Sequence, residues 1–499
     1  MKKILRSLFY LLLVSAMMFS FAACTGNSAD DGETTPTPEP TQEQTPATPT
    51  DIPSTPAPTG PDTYRILISS DPHCTDLLDW YGVSNEARME LWIKIVLAEH
   101  ERQPFDLIII AGDISLDTHI GETCYTKGYS TSQTFIENYV SQIPSDIPIF
   151  ILPGNHETMN NEDWIALTGN SRQCTYVLGN NTFIMLDTFA NIEGDNVYDP
   201  PYTPVDVAYV KEQMDAYPEN NVYLVAHHVP LGKNMPEESA EFRELLCDER
   251  IIGLFGGHTH LNNPVQYDAS CGNKIQVQTG NFSYTNGSFD TSFWGLRDLV
   301  ITEDSAVTSY IQAACDVTIN GEARHYERTV TEVVDFMNPT YFTEYTAADG
   351  TVYNKLYSKI DYSFIIAGTT CQYNYAVSNI LDCNDHTEWF PAFDDDHQAP
   401  AIWGMTEPTA ITNYVIVTGY HDLNSIPVSW TLYGGDDFFE MEVIDSRENV
   451  TMPATTRTHS QVFTVENPRE YLYYQLVITG SNTDSVGSEI SELILLAKK

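Results

Sequence analysis

Cations are scarce in this 499-residue chain: 24 Lys and Arg stand against 69 Asp and Glu, a formal net charge of −45. A surface so poor in Lys and Arg cannot neutralise many phosphates, which argues against electrostatic binding to nucleic acid or to an anionic membrane. Cysteine is sparse too, with nine residues at positions 24, 74, 124, 174, 247, 271, 315, 371 and 383 and no Cys-x-x-Cys pair. That spacing speaks against structural zinc and against a miniature disulfide-stapled fold, and it leaves the pairing of the cysteines after Cys24 open. Beyond the N-terminus no run is long and apolar enough to cross a bilayer. What the chain does hold is 42% hydrophobic and 11% aromatic residues, enough for a sizeable core, over a length that suits two or three domains.

The first 24 residues read as an address. Lys2, Lys3 and Arg6 precede an apolar stretch over 8–23 that only Ser15 and Ser20 interrupt, short for the roughly 20 residues of a membrane span. It ends in Phe21-Ala22-Ala23-Cys24, which resembles a bacterial lipobox. The resemblance implies a signal peptide over 1–24, a lipid on Cys24, a place on the outer face of a bacterial membrane, and no membrane contact except through that lipid. Residues 25–61 read as a linker. Residues 34–61 hold nine Thr and nine Pro, too little apolar surface for a core, so this stretch is an extended tether. At about 3.1 Å per residue it reaches on the order of 90 Å.

From residue 63 the texture changes to short apolar runs, each ending in chemically capable residues. Residues 64–68 lead to Asp71-Pro72-His73, 105–110 to Ala111-Gly112-Asp113, and 147–152 to Pro153-Gly154-Asn155-His156-Glu157. Residues 222–226 lead to His227-His228-Val229-Pro230, and 251–255 to Gly256-Gly257-His258-Thr259-His260. Continuous β-branched runs of this length predict strands buried on both faces. Between the first two runs, residues 84–102 carry Leu91, Trp92, Ile95 and Val96 on one helical face, with Ser84 or Asn85 as N-cap. The alternation predicts an α/β layered sandwich whose ligands gather at the carboxyl ends of its strands, where all five polar clusters fall.

The chemistry of that set is mixed carboxylate and imidazole with one side-chain amide. Such donors suit Zn, Mn, Fe, Ni or Co better than Ca²⁺. Two ions about 3.5–4 Å apart, bridged by one carboxylate, clamp the attacking and leaving oxygens of a phosphoryl displacement. Taken alone, His258-Thr259-His260 says little; five clusters in order behind five buried strands say much more.

The ordered set resembles the calcineurin-like metallophosphoesterase superfamily, whose signature is Asp-x-His, Gly-Asp, Gly-Asn-His-Asp/Glu, His and Gly-His-x-His. The resemblance runs over residues 62–335. It implies that Asp71, His73 and His260 hold one divalent ion, that Asn155, His228 and His258 hold the other, and that Asp113 bridges. The family's fourth-motif histidine usually stands two residues before a proline, which favours His228 with Pro230 and leaves His227 as a neighbour that packs or hydrogen-bonds. The resemblance also implies a metal-bridging hydroxide as nucleophile and a substrate-facing, catalytic His156. Leu116 stands where purple acid phosphatases carry a tyrosine ligand, and Gly112-Asp113-Ile114-Ser115-Leu116-Asp117-Thr118 departs from the protein-phosphatase motif. Asp117 reads as a loop carboxylate or a partner of the site, and Cys74 as a buried thiol.

A connector over 336–360 leads to residues 361–499, where short alternating strands with turns at Gly419, Gly434-Gly435 and Gly480 predict an all-β sandwich. Residues 381–389, Leu-Asp-Cys-Asn-Asp-His-Thr-Glu-Trp, resemble the signature of discoidin, or galactose-binding-like, domains. That resemblance implies glycan targeting and a structural Ca²⁺ with Asp382, Asp385, Thr387 and Glu492 as oxygen donors. Trp389, Phe390, Phe393 and Trp403 are candidates to stack on sugar rings, with Trp389 read first as a residue of the sandwich core. Asp394-Asp395-Asp396-His397 reads as a solvated loop.

Together these features describe a membrane-tethered phosphoesterase acting on a phosphate mono- or diester, with a cell-surface or environmental glycan as partner of its sandwich. A rival from another class is a glycan-binding surface lipoprotein whose front domain lacks activity.

Overall fold

The computed structural model describes residues 63–499 except 76–78, 117–129, 158, 190–201, 229–239, 285–293, 313, 370–375, 385–386, 420–422 and 484–486. The signal segment, Cys24, the tether, Asp117, Cys124, Pro230, Cys371 and Asp385 therefore lie outside the described residues. Among the described residues no helix is long and apolar enough to cross a membrane.

Side-chain alternation sets the layers. In β1 (Tyr64–Ser69), Ile66 and Ile68 join one core and Leu67 another, and all three are fully buried, so the strand needs a cover on each side. With β2 (Leu107–Ala111) and β3 (Ile149–Leu152) it forms a parallel run. The chain then builds a second sheet from β4 (Cys174–Leu178), β5 (Asn181–Leu186), β6 (Asn221–Ala226), β7 (Ile251–Gly256), β8 (Pro264–Ala269) and β9 (Gly272–Gln278), in the order β4-β5-β6-β7-β9-β8. It returns to the first sheet with β10 (Leu296–Ile301), β11 (Ala306–Gln312), a hairpin of β12 (Cys315–Ile319) and β13 (Glu322–Tyr326), and β14 (Thr329–Asp335). The first sheet then reads β14-β11-β10-β1-β2-β3.

The two sheets pack face to face. Ile66, Ile68, Ile109 and Phe150 from one meet Phe183, Tyr223, Val225 and Phe255 from the other. Helix α1 (Asn85–Arg102) covers the outer side of the first sheet with Trp92 and Val96, while α3 (Val207–Ala216) and α4 (Ala240–Leu245) cover the second with Val210, Met214 and Phe242. Each such large apolar side chain contributes roughly 1.5–3 kcal/mol when fully buried. The layers are helix, sheet, sheet, helix, as an α/β sandwich requires. The Ser84 hydroxyl caps α1 by accepting from the Ala87 N–H at 3.3 Å, and Asn160 caps α2 (Asn161–Thr168) from the Asp163 N–H at 2.9 Å. A Cys247–Cys271 disulfide ties the segment after α4 to the β8–β9 turn, and Cys74, Cys174, Cys315 and Cys383 are buried thiols.

The C-terminal sandwich starts earlier than its sequence suggests. Residues 336–360 do not form a mere connector: β15 (Glu344–Thr346) and β16 (Val352–Lys355) join β24 in the first of two five-stranded sheets, where Lys355 pairs with Leu496. The remaining strands are β17 (Ile360–Ala367), β18 (Ala399–Ala410), β19 (Asn413–Thr418), β20 (Pro427–Gly435), β21 (Glu442–Arg447), β22 (Phe463–Thr464), β23 (Glu470–Ser481) and β24 (Ile490–Lys498). They complete the sheets β15-β16-β24-β19-β22 and β17-β18-β23-β20-β21. Trp389 and Trp403 belong to the core between the sheets and are 0% exposed, and Phe390 is buried, so none of the three offers a face to a sugar; Phe393 is half-buried against the same core. Asn263 Nδ2, three residues beyond His260, donates to Asn384 Oδ1 of the sandwich at 2.8 Å.

Candidate metal centre

All five motif strands end at one edge of the paired sheets, and the backbone there is unusual. Asp71, His73, Asp113, His258 and His260 have φ of 51°, 43°, 51°, 67° and 60°. A non-glycine residue held in the left-handed region costs of order 1–3 kcal/mol, and such residues persist only where their surroundings fix them. Here the turns hold one another: Asp71 N–H donates to Gly112 O at 3.1 Å, His73 N–H to Asp113 O at 3.0 Å, and Phe282 N–H to Asp71 O at 3.1 Å. The Glu157 carboxylate accepts from the N–H groups of Gly154 (2.6 Å), Asp113 (2.9 Å) and Ser115 (3.3 Å), tying the second and third motifs together.

Two fully buried arginines brace the same loops. Arg88 donates to the carbonyls of Pro72, Phe282 and, at 2.9 Å, His73. Arg297 donates to the carbonyls of Asn262, Gln278 and Glu332. Neither forms an ion pair among the described residues. Glycine is needed where these loops close on the ligands: a Cβ on Gly154 would fall on Asp113 Oδ1, and one on Gly257 would sit 2.7 Å from Asp71 Oδ2.

The side chains converge in two groups around Asp113. In the first, His260 Nε2 lies 3.2 Å and His73 Nε2 3.5 Å from Asp71 Oδ1. In the second, Asn155 Oδ1 lies 3.2 Å from His227 Nε2 and 2.9 Å from His258 Nδ1. Asp113 Oδ2 stands between, 3.1 Å from His227 Nε2 and 3.5 Å from His73 Nε2. His156 Nε2 approaches the same oxygen at 3.7 Å from the solvent side.

The fourth-motif histidine is His227, not His228. His227 directly follows β6 and points into the cluster, fully buried, with its Nδ1–H donating to Ala111 O at 2.8 Å so that Nε2 faces the carboxylates. His228, the second residue past the strand, is half-buried and packs beside the cluster against Phe189, Tyr202 and His258 at ring-centroid distances of 6.1, 5.1 and 4.6 Å. The histidine two residues before the proline thus yields to the one that ends the strand.

The donor set fits divalent cations. Asp71 Oδ1 and both ring nitrogens of His73 are buried without a hydrogen-bond partner among the described residues. Burial lowers His73, leaving a neutral imidazole with a lone pair to offer. Burial opposes ionisation of Asp71 and Asp113, yet the surrounding imidazoles outweigh it and hold both well below the ordinary carboxylate range. Burial also opposes a charge on His227, and Asp113 and Asp71 push it up to about 10. Two buried carboxylates thus demand positive charge between them. The groups Asp71–His73–His260, His73–Asp113–His156 and Asp113–His227–His258 each bring three donor atoms within 4.8 Å of one another.

Residues 64–262 match the family model of the calcineurin-like phosphoesterases. This part of the chain is a calcineurin-like phosphoesterase domain. Domains of this family are metal-dependent phosphoester hydrolases. The phosphoesterase match ends within the loop after His260 and so takes in all five motifs. No curated protein matches the chain. Among solved structures, the CBM32 and M60 domains of Clostridium perfringens ZmpB share 15% identity over 28% of this chain and 14% of theirs, with a TM-score of 0.24. A CBM32 module from a second C. perfringens protein, solved with GalNAc-β-1,3-galactose, shares 11% over 29% of this chain and all of its own, with a TM-score of 0.25. A chitosan-binding module from Paenibacillus shares 13% over 27% of this chain and 93% of its own, with a TM-score of 0.22.

In the sandwich beside the phosphoesterase domain, three of the four predicted oxygen donors meet. Thr387 Oγ1 donates to Asp382 Oδ2 at 2.9 Å, and the Asn384 N–H donates both to Asp382 Oδ1 and to Glu492 Oε2, each at 3.0 Å. Glu492 is 2% exposed, and burial followed by the Asp382 charge raises it well above the usual carboxylate range. Asp394 turns back to accept from the Asp396 and Gln398 N–H groups in an exposed loop, away from this cluster.

Arg88, Glu157 as a brace, and Arg297 lie outside the motifs that the sequence displays. Arg88 left a signal: it sits four residues before Trp92, on the apolar face of α1, where an arginine needs a reason.

Proposed function

We propose that this chain is an exported, lipid-tethered phosphoesterase with two metal ions, whose sandwich holds it near a glycan. The observation that carries the catalytic reading is the convergence of Asp71, His73 and His260 on one side of Asp113 and of Asn155, His227 and His258 on the other. These residues would hold the two ions, with Asp113 shared. When bound, the ions supply Lewis acidity and a water of lowered pKa. Carboxylate and imidazole donors suit Mn, Zn, Fe, Ni or Co.

The protein's own part is positioning and proton handling. The His260 Nδ1–H donates to Tyr284 O at 2.7 Å and that of His227 to Ala111 O, which fixes both rings with Nε2 turned inward. Asn155 contributes a neutral oxygen, so its side of the centre carries less negative charge than the Asp71 side. His156, at the solvent side of Asp113, protonates the leaving oxygen of the ester. In the sandwich, Asp382, Thr387 and Glu492 hold a structural Ca²⁺, supported by the approach of Asp382 to the buried Glu492, which leaves both carboxyls above their usual range. The lipid on Cys24 and the Thr/Pro tether rest on the sequence.

Metal analysis of the purified protein, followed by turnover of p-nitrophenyl phosphate and bis(p-nitrophenyl) phosphate with each of the five metals, tests this reading. About two ions per chain and turnover lost in Asp113→Asn are expected. Full turnover in metal-stripped protein, or unchanged turnover in Asp113→Asn, overturns it.

A further inference from the structure

Although the tryptophans of the sandwich are inside, aromatic surface does appear on the outer face of the sheet β17-β18-β23-β20-β21. Along β23 the inward Tyr474 is 0% exposed, so its neighbour Tyr473 points outward. Tyr473 has glycine on both sides: it pairs with Gly404 of β18 and with Gly435 of β20. Glycine inside a strand weakens the sheet and marks a place where something approaches closely. At Gly404 that is Phe364, displaced by the irregular β17 register so that it lies over the bare strand, 3.4 Å from where a Cβ would stand. At Gly435 it is the backbone of the β20–β21 hairpin, Asp437 to Met441, folded back across the sheet.

Both glycines therefore serve one end, which is to bring rings around Tyr473. Phe364 lies 5.2 Å and Phe438 5.9 Å from it, and these two are 5.5 Å apart. Phe439 packs on Phe438 at a tilt, with ring centroids 3.8 Å apart, and is 57% exposed. Asp436, Asp437 and Glu440 of the same hairpin are exposed beside the rings.

We propose that this platform is a binding site for uncharged pyranose residues of a polysaccharide. The proposal rests on the glycan-targeting reading of the sandwich and gives that reading an address. Ring faces accept the apolar C–H face of a pyranose, and carboxylates accept hydrogen bonds from its hydroxyls. The acidic rim, on a chain of net charge −45, repels anionic polymers and anionic membranes. A second copy is a poor occupant: an aromatic side chain buries roughly 150–250 Å², three of these four are already half-buried, and a stable interface needs about 800 Å² per partner. Two copies would also set like charges against each other.

The test is binding of the full chain to soluble neutral polysaccharides (a β-glucan, a galactomannan, a xylan) and to anionic polygalacturonate, by affinity electrophoresis and titration calorimetry. Parent protein binds at least one neutral polymer and not polygalacturonate. Phe439→Ala and Tyr473→Ala each weaken that binding about tenfold or more, while p-nitrophenyl phosphate turnover stays at the parent level and reports an intact fold. Because Phe439 is exposed, its truncation leaves the core untouched even if Tyr473→Ala loosens the sheet. Parent that binds a neutral polymer while both variants bind it equally well overturns this site and leaves the targeting reading standing. Parent that binds no polymer, or only the anionic one, overturns both.

Discussion

The Arg88 guanidinium donates to the carbonyl of His73 at 2.9 Å from behind the metal centre, fully buried and without an ion pair among the described residues. A buried, unpaired guanidinium is expensive, and its lowered pKa of about 9, caused by burial, records that cost. The return is a rigid turn: the same side chain also holds Pro72 and Phe282, and so fixes the left-handed backbone that aims Asp71 and His73 inward.

Arg88→Gln should therefore reduce metal affinity and turnover by about 10–100-fold, as losses of residues that orient ligands do. Arg88→Lys keeps the charge but not the planar fork and should recover only part. Metal titration of both variants beside circular dichroism separates this from unfolding.

His227→Ala and His228→Ala make a sharp pair. The first removes a side chain 3.1 Å from Asp113 Oδ2 and should cost one metal equivalent and more than roughly 100-fold in turnover. The second removes a half-buried ring at the side and should leave metal content unchanged, with a smaller change dominated by KM. Equal losses of metal from the two would contradict the assignment.

Gly154→Ala places a methyl group on Asp113 Oδ1. The shared carboxylate must move, so metal content and turnover should both fall while far-ultraviolet circular dichroism remains that of the parent. Restored activity at high metal concentration would show that the loss lies in affinity.

Calcium should raise the melting temperature of the sandwich. At a concentration of 100 Kd the stabilisation is about 2.7 kcal/mol, and Asp382→Asn or Glu492→Gln should abolish the increment without altering phosphoester turnover. Differential scanning calorimetry with and without chelator measures it.

Opening the Cys247–Cys271 disulfide, which closes a 24-residue separation, should cost about 2–4 kcal/mol. The Cys247→Ser, Cys271→Ser double variant should melt several degrees lower with unchanged turnover.

Some of this was legible in the sequence and some was not, for reasons that differ residue by residue. The runs ending at Asp71, Asp113, Asn155, His227 and His258 announced strands buried on both faces, and their polar ends announced a shared edge. The same runs could not say that one of the two covers is a second sheet, because Ile66 presents the same apolar face to a strand as to a helix. The choice between His227 and His228 turned on a single position just past the end of β6, where no strand period reaches. β15 and β16 have three and four residues, too few to display a period. Trp403 and Tyr473 come from equally apolar stretches, and only the strand register tells which faces outward.

The proposed ligands are divided between the two sheets. Asp71, His73, Asp113 and Asn155 hang from the first sheet, while His227, His258 and His260 hang from the second, so each proposed half of the centre draws on both. The first sheet in turn is incomplete until β10 returns to pair with β1, after the whole second sheet has been made. An ion therefore finds no finished cage on a partly synthesised chain. Either proposed half of the centre is complete only once the two sheets have met, so a bound ion would act as a rivet through two plates already in contact.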